Sequence, residues 1–177
     1  MPLSQSELRS RLKSVKLVAL DVDGVLADGR LFLGEDGREF KSFDVKDGFG
    51  IRALLLSGIY VAVISGRESE VVKRRCEKLG IKEVHQGILK KAEVLGKLLG
   101  EHGIEVGEAC FMGDDANDLS VLKMVGLSAC PSDAMADVQE ACDYIASRKG
   151  GRGAIRELAE LLLKAQGKWD NIIAEFS

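Results

Sequence analysis

Two short acidic clusters, Asp21-Val22-Asp23-Gly24 and Gly113-Asp114-Asp115-Ala116-Asn117-Asp118, are the residues of this chain best suited to chemistry. Each follows directly on an apolar run, Leu17-Val18-Ala19-Leu20 in the first case and Ala109-Cys110-Phe111-Met112 in the second. Carboxylates crowded at the end of a buried strand repel one another, so the pattern calls for a cation. An all-oxygen donor set favours a hard ion such as Mg²⁺. Gly24, beside the first pair, allows the backbone to turn sharply. A solvated loop with helix caps would explain either cluster alone, but two clusters placed alike after apolar strands argue against it. A helix-loop-helix calcium site does not fit, because Asp21-Val22-Asp23-Gly24 lacks the third oxygen ligand and follows a strand.

Groups so far apart in sequence meet only if the chain folds their elements side by side. The apolar, β-branched run Tyr60 to Ile64 breaks at Ser65-Gly66-Arg67 in the same manner, and weaker strands are expected at Glu83 to His85, Leu127 to Ala129 and Tyr144 to Ala146. Helical patterns fill the intervals: Gly50 to Leu56, Glu68 to Leu79, Lys91 to Glu101, Asn117 to Met124, Met135 to Ala141 and Ala154 to Ala165. Strands alternating with helices predict an α/β fold, a three-layer Rossmann-like parallel sheet with helices on both faces. Ligands of such sheets sit beyond the carboxyl ends of the strands, where the polar breaks would gather. Gly48-Phe49-Gly50-Ile51-Arg52-Ala53 matches a dinucleotide fingerprint on paper, but it follows no convincing strand and is set aside.

One stretch departs from this rhythm. Residues 29–43 place two short apolar runs around a Gly/Asp turn, which predicts a β-hairpin inserted after the first strand. The hairpin is too small to close over a substrate. Phe32, Phe40 and Phe43 would be exposed there in a monomer, so they should pack on the parent sheet or on another subunit. The length of 177 residues with 46% hydrophobic content suits one domain over 1–177, with a tail from about 166 whose Trp169 is expected to dock on it.

With Lys+Arg 25 against Asp+Glu 28, the formal charge is −3, so the basic excess of a nucleic-acid or membrane-surface binder is missing and a small ligand is expected. Cys76, Cys110, Cys130 and Cys142 form no CxxC pair and read as reduced packing residues. No signal-like or membrane-spanning run stands out, which makes the cytoplasm the expected location.

Asp21-Val22-Asp23-Gly24-Val25, Ser65-Gly66-Arg67, Lys91 and the Gly113–Asp118 cluster stand in the order of the four motifs of haloacid-dehalogenase-type phosphatases, which the chain resembles over most of its length. The hairpin in place of a cap, with the late segment Gly150-Gly151-Arg152-Gly153-Ala154-Ile155-Arg156-Glu157, is similar to the 3-deoxy-D-manno-octulosonate 8-phosphate phosphatases. The resemblance implies that Asp21 attacks phosphorus and becomes an aspartyl phosphate, while Asp23 protonates the leaving oxygen and then activates water. It implies Mg²⁺ held by Asp21, the carbonyl of Asp23 and Asp114. Ser65 and the N–H groups around Gly66 would bind phosphate, as would Lys91, with the adjacent Lys90 the alternative. Asp118, or alternatively Asp115, would orient a metal-bound water or Lys91. Arg67 would reach a substrate carboxylate. Related proteins resemble homotetramers, so that Arg152 would act in a neighbouring subunit's site.

The substrate implied is a small phosphorylated sugar acid of lipopolysaccharide synthesis, an octulosonate 8-phosphate or a nonulosonate 9-phosphate. Two rivals are weaker. A phosphorelay receiver carries its phosphoacceptor on a middle strand, not the first, and a non-catalytic oligomerisation module of this fold would not keep every motif residue intact.

Overall fold

The computed structural model describes residues 3–176. In chain order the first half holds α1 (Gln5–Ser14), β1 (Leu17–Leu20), the hairpin strands β2 (Phe32–Leu33) and β3 (Glu39–Phe40), α2 (Val45–Leu56), β4 (Tyr60–Ile64), α3 (Glu70–Leu79), β5 (Glu83–His85) and α4 (Lys91–His102). The second half adds β6 (Ala109–Met112), α5 (Leu119–Leu122), β7 (Leu127–Cys130), α6 (Ala136–Ala141), β8 (Tyr144–Ile145), α7 (Ala154–Ala165) and α8 (Trp169–Glu175).

The main sheet is six-stranded, in the order β5-β4-β1-β6-β7-β8, and every pairing is parallel. All four β1 residues are fully buried, as a central strand covered on both faces must be. Alternation along the strand divides the core: Val18 and Leu20 face one layer with α1, α2, α3, α7 and α8, while Leu17 and Ala19 face the other with α4, α5 and α6. β1 pairs with β4 on one side and β6 on the other, so the chain leaves β1 in one direction and returns to it through β6. This reversal opens a crevice at the carboxyl ends of β1 and β6, and both acidic clusters stand there.

Several boundaries differ from the sequence reading for definable reasons. α2 starts at Val45, five residues before the expected Gly50, because the Asp44 side chain accepts the Lys46 N–H at 2.7 Å and caps it. Gly48 and Gly50 therefore lie inside a helix, which removes any phosphate-binding loop there. The helix expected over 117–124 is a 3-10 turn, Ala116–Asp118, running into the short α5. The expectation of exposure fails for Phe43, which is half-buried against the core under the Arg75 guanidinium. Phe32 and Phe40 do lie exposed on the hairpin. Trp169 is buried, docked at 6.4 Å between ring centroids on Phe49. All four cysteines are free thiols. No helix among the described residues is long and apolar enough to cross a membrane.

Candidate active site

Asp21 is the first residue past β1, Ser65 the first past β4, and Asp114 follows β6 by one residue. Lys91 opens α4 and points into the crevice between them. Its Nζ is buried and donates to Asp21 Oδ1 at 2.7 Å and to Asp118 Oδ1 at 2.6 Å. Asp118, fully buried, uses its second oxygen to accept the Asp114 N–H at 3.0 Å and the Asp115 N–H at 3.4 Å. Both oxygens of Asp118 are thus committed, one to holding Lys91 and one to shaping the turn. Asp115 spends its side chain on the Ala116 N–H at 2.7 Å and does not join the cluster. Lys90 is exposed and pairs with Glu93 at 2.9 Å, so of the two lysines only Lys91 enters the site.

Oxygens of Asp21, Asp114 and Asp118 lie within 4.8 Å of one another. Asp114 Oδ1 is buried and meets no hydrogen-bond partner among the described residues. Burial, then the neighbouring Asp21, Asp118 and Asp115 charges, push the Asp114 carboxyl up to about 8. Burial and the Asp118 charge push Asp21 up to about 6, although Lys91 pulls the other way. Burial works against the Lys91 ammonium, but Asp21 and Asp118 outweigh it and raise its pKa. One buried lysine leaves this group of carboxylates with a surplus of negative charge. The all-oxygen donor set and the orphaned Asp114 oxygen fit a hard divalent cation.

Backbone shape is part of the site. Gly24 has φ 89°, and a Cβ there would overlap the Asp114 carboxylate. A Cβ on Gly113 would likewise overlap Asp118. Ser65 is buried with its Oγ accepting the Arg67 N–H at 3.3 Å, which tightens the turn through Gly66. The Asp23 side chain turns to a second layer, an ion pair with Lys41 and an Arg67 Nε at 3.8 Å.

The chain is similar to known proteins over nearly its whole length. A model of haloacid dehalogenase-like hydrolases matches residues 81–158. The 3-deoxy-D-manno-octulosonate 8-phosphate phosphatase of Escherichia coli K12 is 42% identical over 165 residues, which cover 93% of this chain and 88% of that protein. This chain belongs to that phosphatase family. Among solved structures, the Moraxella catarrhalis family member in complex with magnesium, phosphate and KDO superposes with a TM-score of 0.95 at 40% identity, covering 98% of this chain and 100% of that one. The cobalt-bound Haemophilus influenzae member gives a TM-score of 0.87 at 41% identity, covering 90% and 93%.

Within this family member, the remaining expected site residues lie at the rim. Arg67 is half-exposed and held between Asp23 and Glu39, whose Oε2 is 3.7 Å from its Nη2. Arg152 is exposed, 3.2 Å from Asp28 of its own chain. The glycines around it are packed against the rest of the chain. Gly150 and Gly151 are buried against the Gly24–Asp28 loop, and Gly151 N–H donates to the Val25 carbonyl at 2.8 Å. Sequence reasoning also missed Lys41 and Glu39. Lys41 joins Asp23 to Glu39, and Ser69 Oγ donates to Glu39 at 2.8 Å, so the hairpin reaches into the site through its second strand. Nothing local marks these two residues, since they read as ordinary solvated charges beside a strand.

Proposed function

We propose that the chain hydrolyses 3-deoxy-D-manno-octulosonate 8-phosphate to the free sugar acid and inorganic phosphate. The observation that carries this reading is the Lys91 ammonium buried between Asp21 and Asp118, beside an Asp114 oxygen with no partner. Such an arrangement supports Asp21 as the nucleophile with a cation beside it.

In the first step an Asp21 oxygen bonds to phosphorus, the phosphorus–sugar oxygen bond breaks, and Asp23 gives the departing oxygen its proton. In the second step Asp23 takes a proton from water, whose oxygen bonds to phosphorus and frees Asp21 with inorganic phosphate. Mg²⁺, held by Asp21, the Asp23 carbonyl and Asp114, supplies when bound the positive charge that lets a dianionic phosphate approach these carboxylates. Asp118 orients Lys91, and Lys91 orients Asp21 and meets the phosphoryl group. Ser65 Oγ and the N–H groups around Gly66 donate to phosphoryl oxygens. Lys41 holds Asp23 in place from the hairpin.

At the other end of the substrate, Arg67 and Arg152 provide guanidinium groups for the carboxylate. We place Arg152 in the site of a neighbouring subunit of a homotetramer. Exposed Leu31, Phe32, Leu33 and Phe40 on the hairpin support an assembly that covers them and roofs a crevice that has no cap.

The test is phosphate release from purified protein given the octulosonate 8-phosphate, a nonulosonate 9-phosphate and a plain sugar phosphate, each with Mg²⁺ and with a chelator. Turnover of the first compound well above the others, abolished by chelation, is expected. Preference for the nonulosonate moves the assignment to that substrate, and turnover untouched by chelation overturns the metal-assisted reading.

A further inference from the structure

Asp47, in the first turn of α2, is a carboxylate with no solvent exposure. Its oxygens go to backbone donors 106 and 109 residues away: Oδ2 accepts the Gly153 N–H at 3.0 Å and Oδ1 accepts the Arg156 N–H at 2.8 Å. Burial raises its pKa, and the Arg156 and Gly153 N–H groups oppose that rise. These donors are the start of α7. The first N–H groups of any helix have no partner within it, and Gly153, standing before α7 at φ 103°, has no side chain to offer them. Asp47 is therefore the cap of α7, supplied from another helix.

What the cap holds is the segment between α7 and the nucleophile loop. Gly150 N–H donates to Asp133 Oδ1 at 2.9 Å, and Gly151 N–H to the Val25 carbonyl at 2.8 Å. A Cβ on Gly150 would overlap the Gly24 carbonyl, and one on Gly151 would overlap the backbone at Ala27 and Asp28. Gly24 is in turn packed on the Asp114 carboxylate. Contact is thus continuous from Asp47 through Gly153, the Gly150–Gly151 backbone and Gly24 to the acidic cluster.

We propose that Asp47 is a positioning residue for hydrolysis: it pins the Gly150–Gly153 segment onto the Gly24–Asp28 loop and so sets the placement of Asp21, Asp23 and Arg152. This rests on the phosphatase reading above for its kinetic readout only. Asp47→Asn keeps the side-chain shape but turns one acceptor oxygen into a donor facing a backbone N–H. Displacing catalytic groups by a fraction of an ångström is expected to lower kcat by about tenfold to a hundredfold, measured on fully folded protein. Backbone amides of residues 22–28 should also exchange with solvent faster than in the parent. Ile59→Ala, a core truncation just before β4 at the amino-terminal end of the strands, away from the site at their carboxyl ends, controls for lost stability and should leave kcat and loop exchange unchanged. Asp47→Asn with the parent's kcat, or with loop exchange no faster than in Ile59→Ala, overturns the proposal. Should Asp47→Asn fail to fold, Gly151→Ala displaces the same loop with the cap intact, and the parent's kcat in that variant overturns it equally. A parent inactive on every phosphoester refutes the phosphatase reading, and the exchange comparison then decides the positioning role by itself.

Discussion

Lys91→Met keeps most of the length of the side chain and removes its charge. Lys91 Nζ lies 2.7 Å from Asp21 Oδ1 and 2.6 Å from Asp118 Oδ1, and the lysine is 1% exposed, so the substitution strands two buried carboxylates. Breaking a buried ion pair from one side costs about 3–5 kcal/mol. In a chain of this size that corresponds to a fall in Tm of about 6–20 °C. The cost depends on pH in a definite direction. Asp21 already titrates at about 6 with Lys91 beside it, and higher without it, so the variant retains a proton over a pH range where the parent has released it. Stability of the variant therefore declines more steeply above pH 6, and its deficit is larger at pH 8 than at pH 5. Urea unfolding in chelator at pH 5, 6.5 and 8 measures this, and phosphate release at saturating Mg²⁺ measures the loss of turnover. A variant within about 1 kcal/mol of the parent at pH 8, against the expected loss, or one with the parent's kcat, refutes the reasoning.

The other predictions concern the cation and the rim. In the metal-free protein, Asp21 and Asp114, raised to about 6 and about 8, hold protons that the unfolded chain has released above its ordinary carboxylate pKa. Stability should therefore fall from pH 5 to pH 8, by up to about 1.4 kcal/mol per pH unit for each retained proton. Added Mg²⁺ should raise Tm more at pH 8 than at pH 6, and a flat metal-free profile counts against the cluster's electrostatics. Asp114→Asn removes one of the repelling charges, so its metal-free form should melt above the parent at pH 8 and lose the response to Mg²⁺. Arg152→Ala should lower kcat/KM by about tenfold to a hundredfold through loss of a charge-assisted hydrogen bond, chiefly by raising KM; unchanged kinetics would confine Arg152 to its bond with Asp28.

Legibility from sequence followed the physics of each element. β1, β4 and β6 carry continuous apolar or β-branched runs that stop at polar breaks, and their observed limits coincide with those runs. α1 was missed because it buries only Leu12, although Ser4 and Glu7 form a capping box that the Ser-x-x-Glu spacing announces. α8 was missed because its seven residues bury little beyond Trp169 and Ile172, one turn apart. Asp21, Asp114, Asp118 and Ser65 were legible because each sits at or close after a strand or turn that the pattern locates. Lys41, Glu39 and Asp47 were not, because their partners lie up to 109 residues away and no local periodicity distinguishes them from solvated charges. The close packing of Gly150 and Gly151 was invisible for a related reason: glycine signals freedom in sequence, but here it permits backbone to pack against backbone.

The proposed hydrolysis begins with the Asp21 carboxylate bonding to phosphorus, and kcat of Asp21→Asn at saturating substrate and Mg²⁺ probes that most directly. The amide is nearly the same size, so the fold should persist, as circular dichroism and the melting profile would register. Loss of the nucleophile predicts a fall in kcat of at least about a thousandfold. A folded Asp21→Asn protein that turns over within a few-fold of the parent would contradict the mechanism at its first step.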